Sequence, residues 1–332
     1  MTTDSPTPEP LSERPKVVYV MGTARSGSTI LGVTLGNCDR VFYAGELGAW
    51  LVKSGVSWLA GSERERFWSI VRDQVDGAEE LFGRQAHDCL EVSLALFRIR
   101  SWPARRRLRK HYRRVSEQLY LAIARESGAT HIVDTSSHPL RARELRGLSE
   151  IDLYLIYLVR DPESVVASFT RSDVARFSRS AVITNAYVWL TNLLCSLVFL
   201  SHPRDRRIFV RYEDFVADPE CVVRHIVNQV DGPAGPPDFT ALRAGIPFQG
   251  NRLLREGEAI AFKRDTGPPP RWSCVTTLFQ LPWKVVFSRL RPAVGKSMSR
   301  ETPGSSDGCS PAATAGSSGD AKARRTGDAP KG

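Results

Sequence analysis

Two arginines in this chain stand where an oxyanion would be held. Arg25 lies inside the run Gly22-Thr-Ala-Arg-Ser-Gly27-Ser-Thr29, and Arg160 opens Arg160-Asp161-Pro162, with Ser168 eight positions further on. Glycines at 22 and 27 let backbone N–H groups turn toward one point, and a helix starting at Ser28 adds unpaired donors and the positive end of its dipole. The glycine spacing is that of a phosphate-cradling loop, with Ser28 where nucleotide triphosphatases carry a lysine. A guanidinium grips phosphate or sulfate oxygens in bidentate fashion, so Arg25 is the cation of this loop. Gly22, Ser26, Gly27, Ser28 and Thr29 complete the first anion station; Arg160 and the Ser168 hydroxyl form the second.

Strands that end in these loops must position them. An apolar run, Val17 to Met21, precedes the glycine loop, and a helical pattern from Ser28 ends near Gly36-Asn37. A second strand enters at His131 and leaves through Asp134-Thr-Ser-Ser-His138-Pro139, with Pro139 at a helix start. Leu153 to Val159 is apolar enough for a central parallel strand, and a helix follows from Glu163 to about Arg171. A fourth strand, Arg207 to Arg211, runs into Tyr212-Glu213-Asp214. Between Glu46 and Ser127 the pattern is helical: an amphipathic stretch from Trp58 to Phe82, then two helices broken at Trp102-Pro103. Functional groups at the carboxyl ends of parallel strands imply an α/β fold, P-loop-like, with a central parallel sheet in a three-layer α/β/α sandwich.

The chain has 332 residues and a formal net charge of +10, enough length for one large domain, expected over residues 16–291. Residues 1–15 are rich in Pro, Ser, Thr and Glu and residues 292–332 in Ser, Gly, Ala and Pro, and both are expected to be disordered tails. The positive balance suits an anionic ligand or surface without pointing to nucleic acid. It is locally concentrated: nine Lys or Arg residues lie between Arg98 and Arg114 with no acid among them. That cluster is either a solvated helix face, a dock for an anionic acceptor, or a peripheral contact with an anionic membrane. Six cysteines stand singly at 38, 89, 195, 221, 274 and 309, which predicts free thiols, no zinc site and a cytoplasmic protein. Ala181 to Leu200 has nearly the length of a membrane span, but Thr184, Asn185, Thr191 and Asn192 interrupt it, so it is expected to be a buried core helix.

The loop GTARSGST after a strand resembles the 5′-phosphosulfate loop of the sulfotransferases that use 3′-phosphoadenosine 5′-phosphosulfate (PAPS), in its Arg-Ser-Gly-Ser/Thr-Thr variant. The RDPxxxxxS pattern of Arg160 and Ser168 resembles the 3′-phosphate site of the same family, at the same order in the chain. The resemblance implies a single PAPS molecule bridging both stations, no metal, and sulfuryl transfer to a hydroxyl or amine. Glu46, in Tyr-Ala-Gly-Glu, resembles the base of tyrosylprotein sulfotransferases. His138, 22 positions before Arg160, resembles the catalytic histidine of the cytosolic enzymes. Bacterial relatives read Asp-Ser-Ser-Lys where this chain has Ser137 in place of the lysine. They also carry a Gly-Asn-x-x-Arg turn that closes on the nucleotide; here Arg252 and Arg255 are alternatives for its arginine. The Tyr212-Glu213-Asp214 segment is expected to be structural, and Trp272 either stacks on a purine or packs in the core. The implied acceptor is a small molecule or a carbohydrate or glycolipid. The competing functions are a P-loop kinase and a non-catalytic nucleotide-binding or membrane-surface adaptor.

Overall fold

The computed structural model describes residues 13–57, 61–169, 180–232, 237–250, 254, 259–260 and 274–298. Arg252, Arg255, Trp272 and residues 1–12 lie outside them. Five strands form one parallel sheet: β1 (Lys16–Gly22), β2 (Val41–Gly45), β3 (His131–Ser137), β4 (Asp152–Val159) and β5 (Arg207–Arg211), in the order β2-β3-β1-β4-β5. β1 is central, with the chain building outward on both sides of it. Its carboxyl end is therefore a switch point of an open α/β sheet, where a crevice forms. Successive residues of β1 face opposite ways, Val17, Tyr19 and Met21 into one apolar cluster and Val18 and Val20 into another.

Helices cover both faces. α1 (Ser28–Gly36) lies on the Val18 side. On the Val17 side are α2 (Ser62–Asp73), α3 (Arg84–Leu90), α4 (Trp102–Ser127) and α5 (Pro139–Leu145). Beyond β4 come α6 (Pro162–Phe169) and α7 (Ala181–Leu200), then α8 (Tyr212–Ala217) and α9 (Pro219–Gln229) after β5. A two-residue antiparallel pair, β6 (Leu242–Arg243) and β7 (Ala259–Ile260), and α10 (Cys274–Met298) complete the order. The fold is thus the three-layer, P-loop-like α/β/α sandwich. α10 continues past residue 291, where the sequence reading ended the domain.

Several local expectations change. β2 was not foreseen: it is a five-residue edge strand that pairs only with β3, too short for its alternation to register. The Trp58–Phe82 stretch holds one helix, α2, which ends at Asp73; a 3-10 turn at Glu79–Leu81 follows it. α4 does begin at Trp102, with Pro103 in its first turn. Cys38, Cys89 and Cys195 are buried free thiols, but Cys221 is disulfide-bonded, against the expectation of free thiols throughout.

α7 is long and apolar enough to cross a membrane by composition, yet it packs on β1, β4, α5, α6 and α10. Its polar residues Thr184, Asn185, Thr191 and Asn192 are all buried. Thr276 and Gln280 of α10 bracket Asn185, and the Tyr157 hydroxyl donates to Asn192. The polar stripe is thus the glue of the helix to the core.

The basic stretch 98–114 divides into two sets. Arg105, Arg109 and Arg113 turn inward onto the fully buried carboxylate of Glu144 in α5, at 3.9, 3.0 and 3.0 Å. Those three are structural, clamping α4 to α5. Arg98, Arg100, Arg106, Arg107, Lys110 and Arg114 remain exposed. Replacing Glu144 by Gln leaves three guanidinium groups around a neutral amide and should lower the unfolding free energy by about 3 kcal/mol. Arg106→Gln, on the exposed side, should stay within about 0.5 kcal/mol of wild type. Urea denaturation of both variants checks the division, and equal losses would refute it.

Candidate active site

The loop after β1 is built by two close approaches that only glycine allows. A Cβ on Gly22 would lie 2.3 Å from the Leu158 carbonyl oxygen of β4. Gly27 caps α1 with a φ of 96°, and a Cβ there would lie 2.4 Å from the Tyr212 ring. Arg25 itself takes a positive φ of 73°, and the Ser26 N–H donates back to the Thr23 carbonyl at 3.2 Å. No side chain caps α1, and its first turn holds no acid. Its first amides are left to face the crevice.

A cavity of about 730 Å³ opens there. Gly22, Arg25, Gly27, Ser28, Thr29, Glu46, His138, Arg160 and Ser168 all line it. Ser26 does not: its side chain is fully buried beside Gly22, because the tight turn points it inward. Arg252 and Arg255 lie outside the described residues, although Gly250, which begins their segment, lines the cavity.

The two anion stations abut. Arg25 Nε donates to Ser168 Oγ at 3.2 Å, and Arg160 Nη1 donates to the Arg25 carbonyl at 3.3 Å. Arg25 and Arg160 therefore face the same cavity, within reach of one bridging ligand. Arg160 also lies over the Tyr212 ring, 4.6 Å from its centroid. Tyr212 is therefore a cavity residue that sequence reasoning missed, since it was taken as part of a structural segment. Its neighbour Glu213 is structural as expected, accepting from the Asp161 N–H at 2.8 Å. Ser137, at the lysine position, takes a φ of 65° and directs its hydroxyl to Ser28 Oγ at 3.5 Å.

On the opposite wall, Glu46 follows β2 and is placed by backbone: its N–H donates to the Gln249 carbonyl at 2.8 Å. Burial, and behind it the negative charge of Asp134, pushes its carboxyl up to about 7. No ion pair to Glu46 occurs among the described residues. His138, the residue before α5, is driven by burial down to about 4, with the Glu91 charge opposing. Its ring meets that of His87 edge-on at 5.2 Å. A smaller cavity of about 280 Å³ shares Glu46, Ser136 and His138 with the first and adds Lys53, Arg84, His87 and Gln249.

Behind these walls runs a polar network that sequence reasoning did not find. Arg141, in α5 and almost fully buried, donates from Nη1 to Glu91 Oε1 at 3.0 Å and from Nη2 to Asp134 Oδ2 at 3.3 Å. The Tyr112 and Tyr120 hydroxyls donate to the same two carboxylates. Burial would raise the Glu91 carboxyl, but Arg141 and then His87 outweigh it and hold it at about 2. The other Asp134 oxygen accepts from Ser136, whose hydroxyl accepts the Gly48 N–H at 2.7 Å, just beyond Glu46. By donor type His87, Glu91 and His138 could surround a cation. His87 Nδ1 and Arg141 already bind both Glu91 oxygens, however, and the guanidinium would repel a second charge.

An open α/β sheet with an uncapped helix start, two arginines and a carboxyl whose pKa is raised by burial at one switch point is a site chemically suited to a compact anion. A family model described as the sulfotransferase family matches residues 15–234. The chain belongs to the sulfotransferase family. Among solved structures it is similar to a sulfotransferase domain from the Synechococcus PCC 7002 olefin synthase (19% identity, TM-score 0.49, covering 83% of this chain and 97% of that one). It is similar as well to a sulfotransferase domain from the curacin biosynthetic pathway (18%, 0.48, 82% and 99%) and to a sulfotransferase from Alicyclobacillus acidocaldarius (12%, 0.37, 85% and 96%). No curated protein matches.

Arg141→Met strips both buried carboxylates of their cation and should cost about 3–5 kcal/mol of stability. Chemical denaturation measures it; a loss under about 1 kcal/mol would show that Arg141 is not the keystone of this network.

Proposed function

We propose that this protein transfers a sulfuryl group from PAPS to a hydroxyl or amine of a small-molecule or carbohydrate-like acceptor, with Glu46 as general base. The observation that carries this reading is the shared cavity: Arg25, Arg160 and Ser168 meet on one side and a carboxyl poised near 7 stands on another. The α1 amides, Arg25, Ser28 and Thr29 would hold the sulfate-bearing phosphate, and Arg160 with Ser168 the 3′-phosphate. When bound, the nucleotide supplies a sulfuryl group already activated for transfer. The protein's own work is to neutralise charge on the departing phosphate with Arg25 and the loop amides, and to take the proton from the attacking acceptor at Glu46. His138, pushed down to about 4 by burial, is a weaker base than Glu46, which favours Glu46 for the role. Its place beside Glu46 suits it to hydrogen-bonding the acceptor. A sulfuryl group carries less charge than a γ-phosphoryl, so no metal is invoked. The free thiols Cys38, Cys89 and Cys195 suit a cytoplasmic protein while the Cys221 disulfide counts the other way, and the exposed part of the Arg98–Arg114 stretch suits contact with an anionic membrane.

Thermal-shift titration separates this from a kinase. 3′-Phosphoadenosine 5′-phosphate should stabilise the wild type, ATP with magnesium should not, and Arg25→Ala and Arg160→Ala should each lose most of the shift. Stabilisation by ATP alone would sink the PAPS reading.

Transfer assays test the base. Glu46→Gln should lower kcat by about a hundredfold or more, and His138→Gln by less. In the wild type kcat/KM should rise with pH through about 7. Because the folded-state pKa of Glu46 lies above its ordinary 4.5, its contribution to stability is full below 4.5 and lost as pH rises through about 7. Glu46→Gln should therefore be more stable than wild type at pH values above about 7, and no less active if another residue is the base.

A further inference from the structure

Between α3 and α4 the chain turns twice through short 3-10 helices, Ser93–Leu96 and Ile99–Ser101. Large apolar side chains on these turns face solvent: Phe97 is 65% exposed and Ile99 71%, with Leu94 and Trp102 about half exposed. Arginines alternate with them, in Phe97-Arg98-Ile99-Arg100, and Arg106, Arg107 and Lys110 extend the positive charge along α4. None of these five cations makes an ion pair among the described residues, in contrast to Arg105, Arg109 and Arg113 on the other side of the helix.

We propose that this tip is an interfacial dock that seats the mouth of the active cavity on an anionic lipid leaflet. The proposal deepens the sulfotransfer reading, on which it rests only in taking the 730 Å³ cavity for the active one. Alternating apolar and cationic side chains match a headgroup layer, whose phosphates take the guanidinium groups while the rings and aliphatic ends reach the acyl boundary. Trp102, with an apolar ring and one N–H, belongs at that depth. A nucleic-acid backbone would satisfy the arginines but leave Phe97 and Ile99 in water. The cavity mouth lies at the same place: Leu94 belongs both to the exposed tip and to the cavity lining. Ile183 of α7, also half exposed, lines the cavity too. Docking here brings a leaflet to the opening through which an acceptor reaches Glu46, so the acceptor class is a membrane-borne amphiphile bearing a hydroxyl.

Co-sedimentation of the full chain with vesicles tests this. Vesicles of phosphatidylcholine with a minority of phosphatidylglycerol should bind it at low salt, phosphatidylcholine alone should not, and high salt should release it. Arg98→Glu with Arg100→Glu, Phe97→Ser with Ile99→Ser, and Ile183→Asp should each weaken binding by about tenfold or more. All these side chains are exposed, and 3′-phosphoadenosine 5′-phosphate should still protect every tip variant as it protects wild type. Equal binding to neutral vesicles, or tip variants that bind like wild type, would overturn the dock. An unaffected Ile183→Asp would overturn the seating of the mouth. A tip that instead holds two copies together, seen as a dimer that the Phe97→Ser, Ile99→Ser variant dissolves without any vesicle binding, also overturns it. Vesicle binding without nucleotide protection of the wild type would leave the dock standing and remove the PAPS reading.

Discussion

A single guanidinium, enclosed by protein on every side, organises the back wall of the site. Arg141 lies between Glu91 and Asp134, and each carboxylate is completed by a tyrosine hydroxyl. Buried charge is tolerated only when it is paired and fully hydrogen-bonded, and removing one member leaves the others stranded. The arrangement ties the residue after α3, the length of α4, β3 and α5 to one point. It reaches the chemistry through Asp134. One oxygen of that carboxylate faces Arg141; the other fixes Ser136, which takes the Gly48 N–H and so holds the turn after Glu46. The charge of Asp134 is also the second cause, after burial, of the raised Glu46 pKa. Asp134 thus adds to both the placing of the Glu46 turn and its proton affinity, beside the Gln249 carbonyl and burial.

The opposite wall works by close packing. Tyr212 presses on Gly27 and carries Arg160 on its ring, so the residue after β5 holds the cap of α1 and the second arginine in one stack. Ser168, on α6, reaches Arg25 in the loop after β1. Three neighbouring strands, β1, β4 and β5, therefore deliver their carboxyl-end residues into mutual contact before any ligand is considered. Such preorganisation matters where charge has to be met by fixed donors, because donors already in place need no rearrangement when it develops.

How far the sequence discloses this depends on the range of the interactions. That Arg25, Ser28, Arg160 and Ser168 would line one cavity was legible because the first three follow closely on an apolar strand, with glycine or proline marking the turn, and Ser168 lies on the helix that begins there. The five-strand sheet was nearly so, except for β2, whose five residues lie at the edge. The Arg141 network was not legible, because its members are dispersed: Glu91 and Arg141 are 50 positions apart, and Tyr112 is 29 from Arg141. None has a neighbour in sequence that advertises its role. The same limit produced the misreading of Arg98–Arg114 as one cluster. Charge can be counted along a chain, but whether a guanidinium turns toward Glu144 or toward water depends on the helical phase of α4 against α5. Ser26 failed for a smaller reason of the same kind, since a one-residue twist in the loop directs its side chain away from the cavity.

α7 carries this point to its consequence. Its polar residues recur at 184, 185, 191 and 192, two helical turns apart, and so define one stripe. A stripe of Thr and Asn on an otherwise apolar helix reads equally well as a face toward water or as a face toward polar partners. What decides is the complementary set on α10 and β4, where Thr276, Gln280 and Tyr157 supply hydrogen bonds that water would otherwise provide. Once that stripe is buried, apolar side chains have to occupy the outer half, and Val182, Ile183, Leu197 and Leu200 do so. Each of these half-exposed side chains forgoes part of the about 1.5–3 kcal/mol that full burial would contribute. The exposed apolar surface of α7 is therefore a direct consequence of how its core contact is made, and Ile183 shows where that surface meets the cavity.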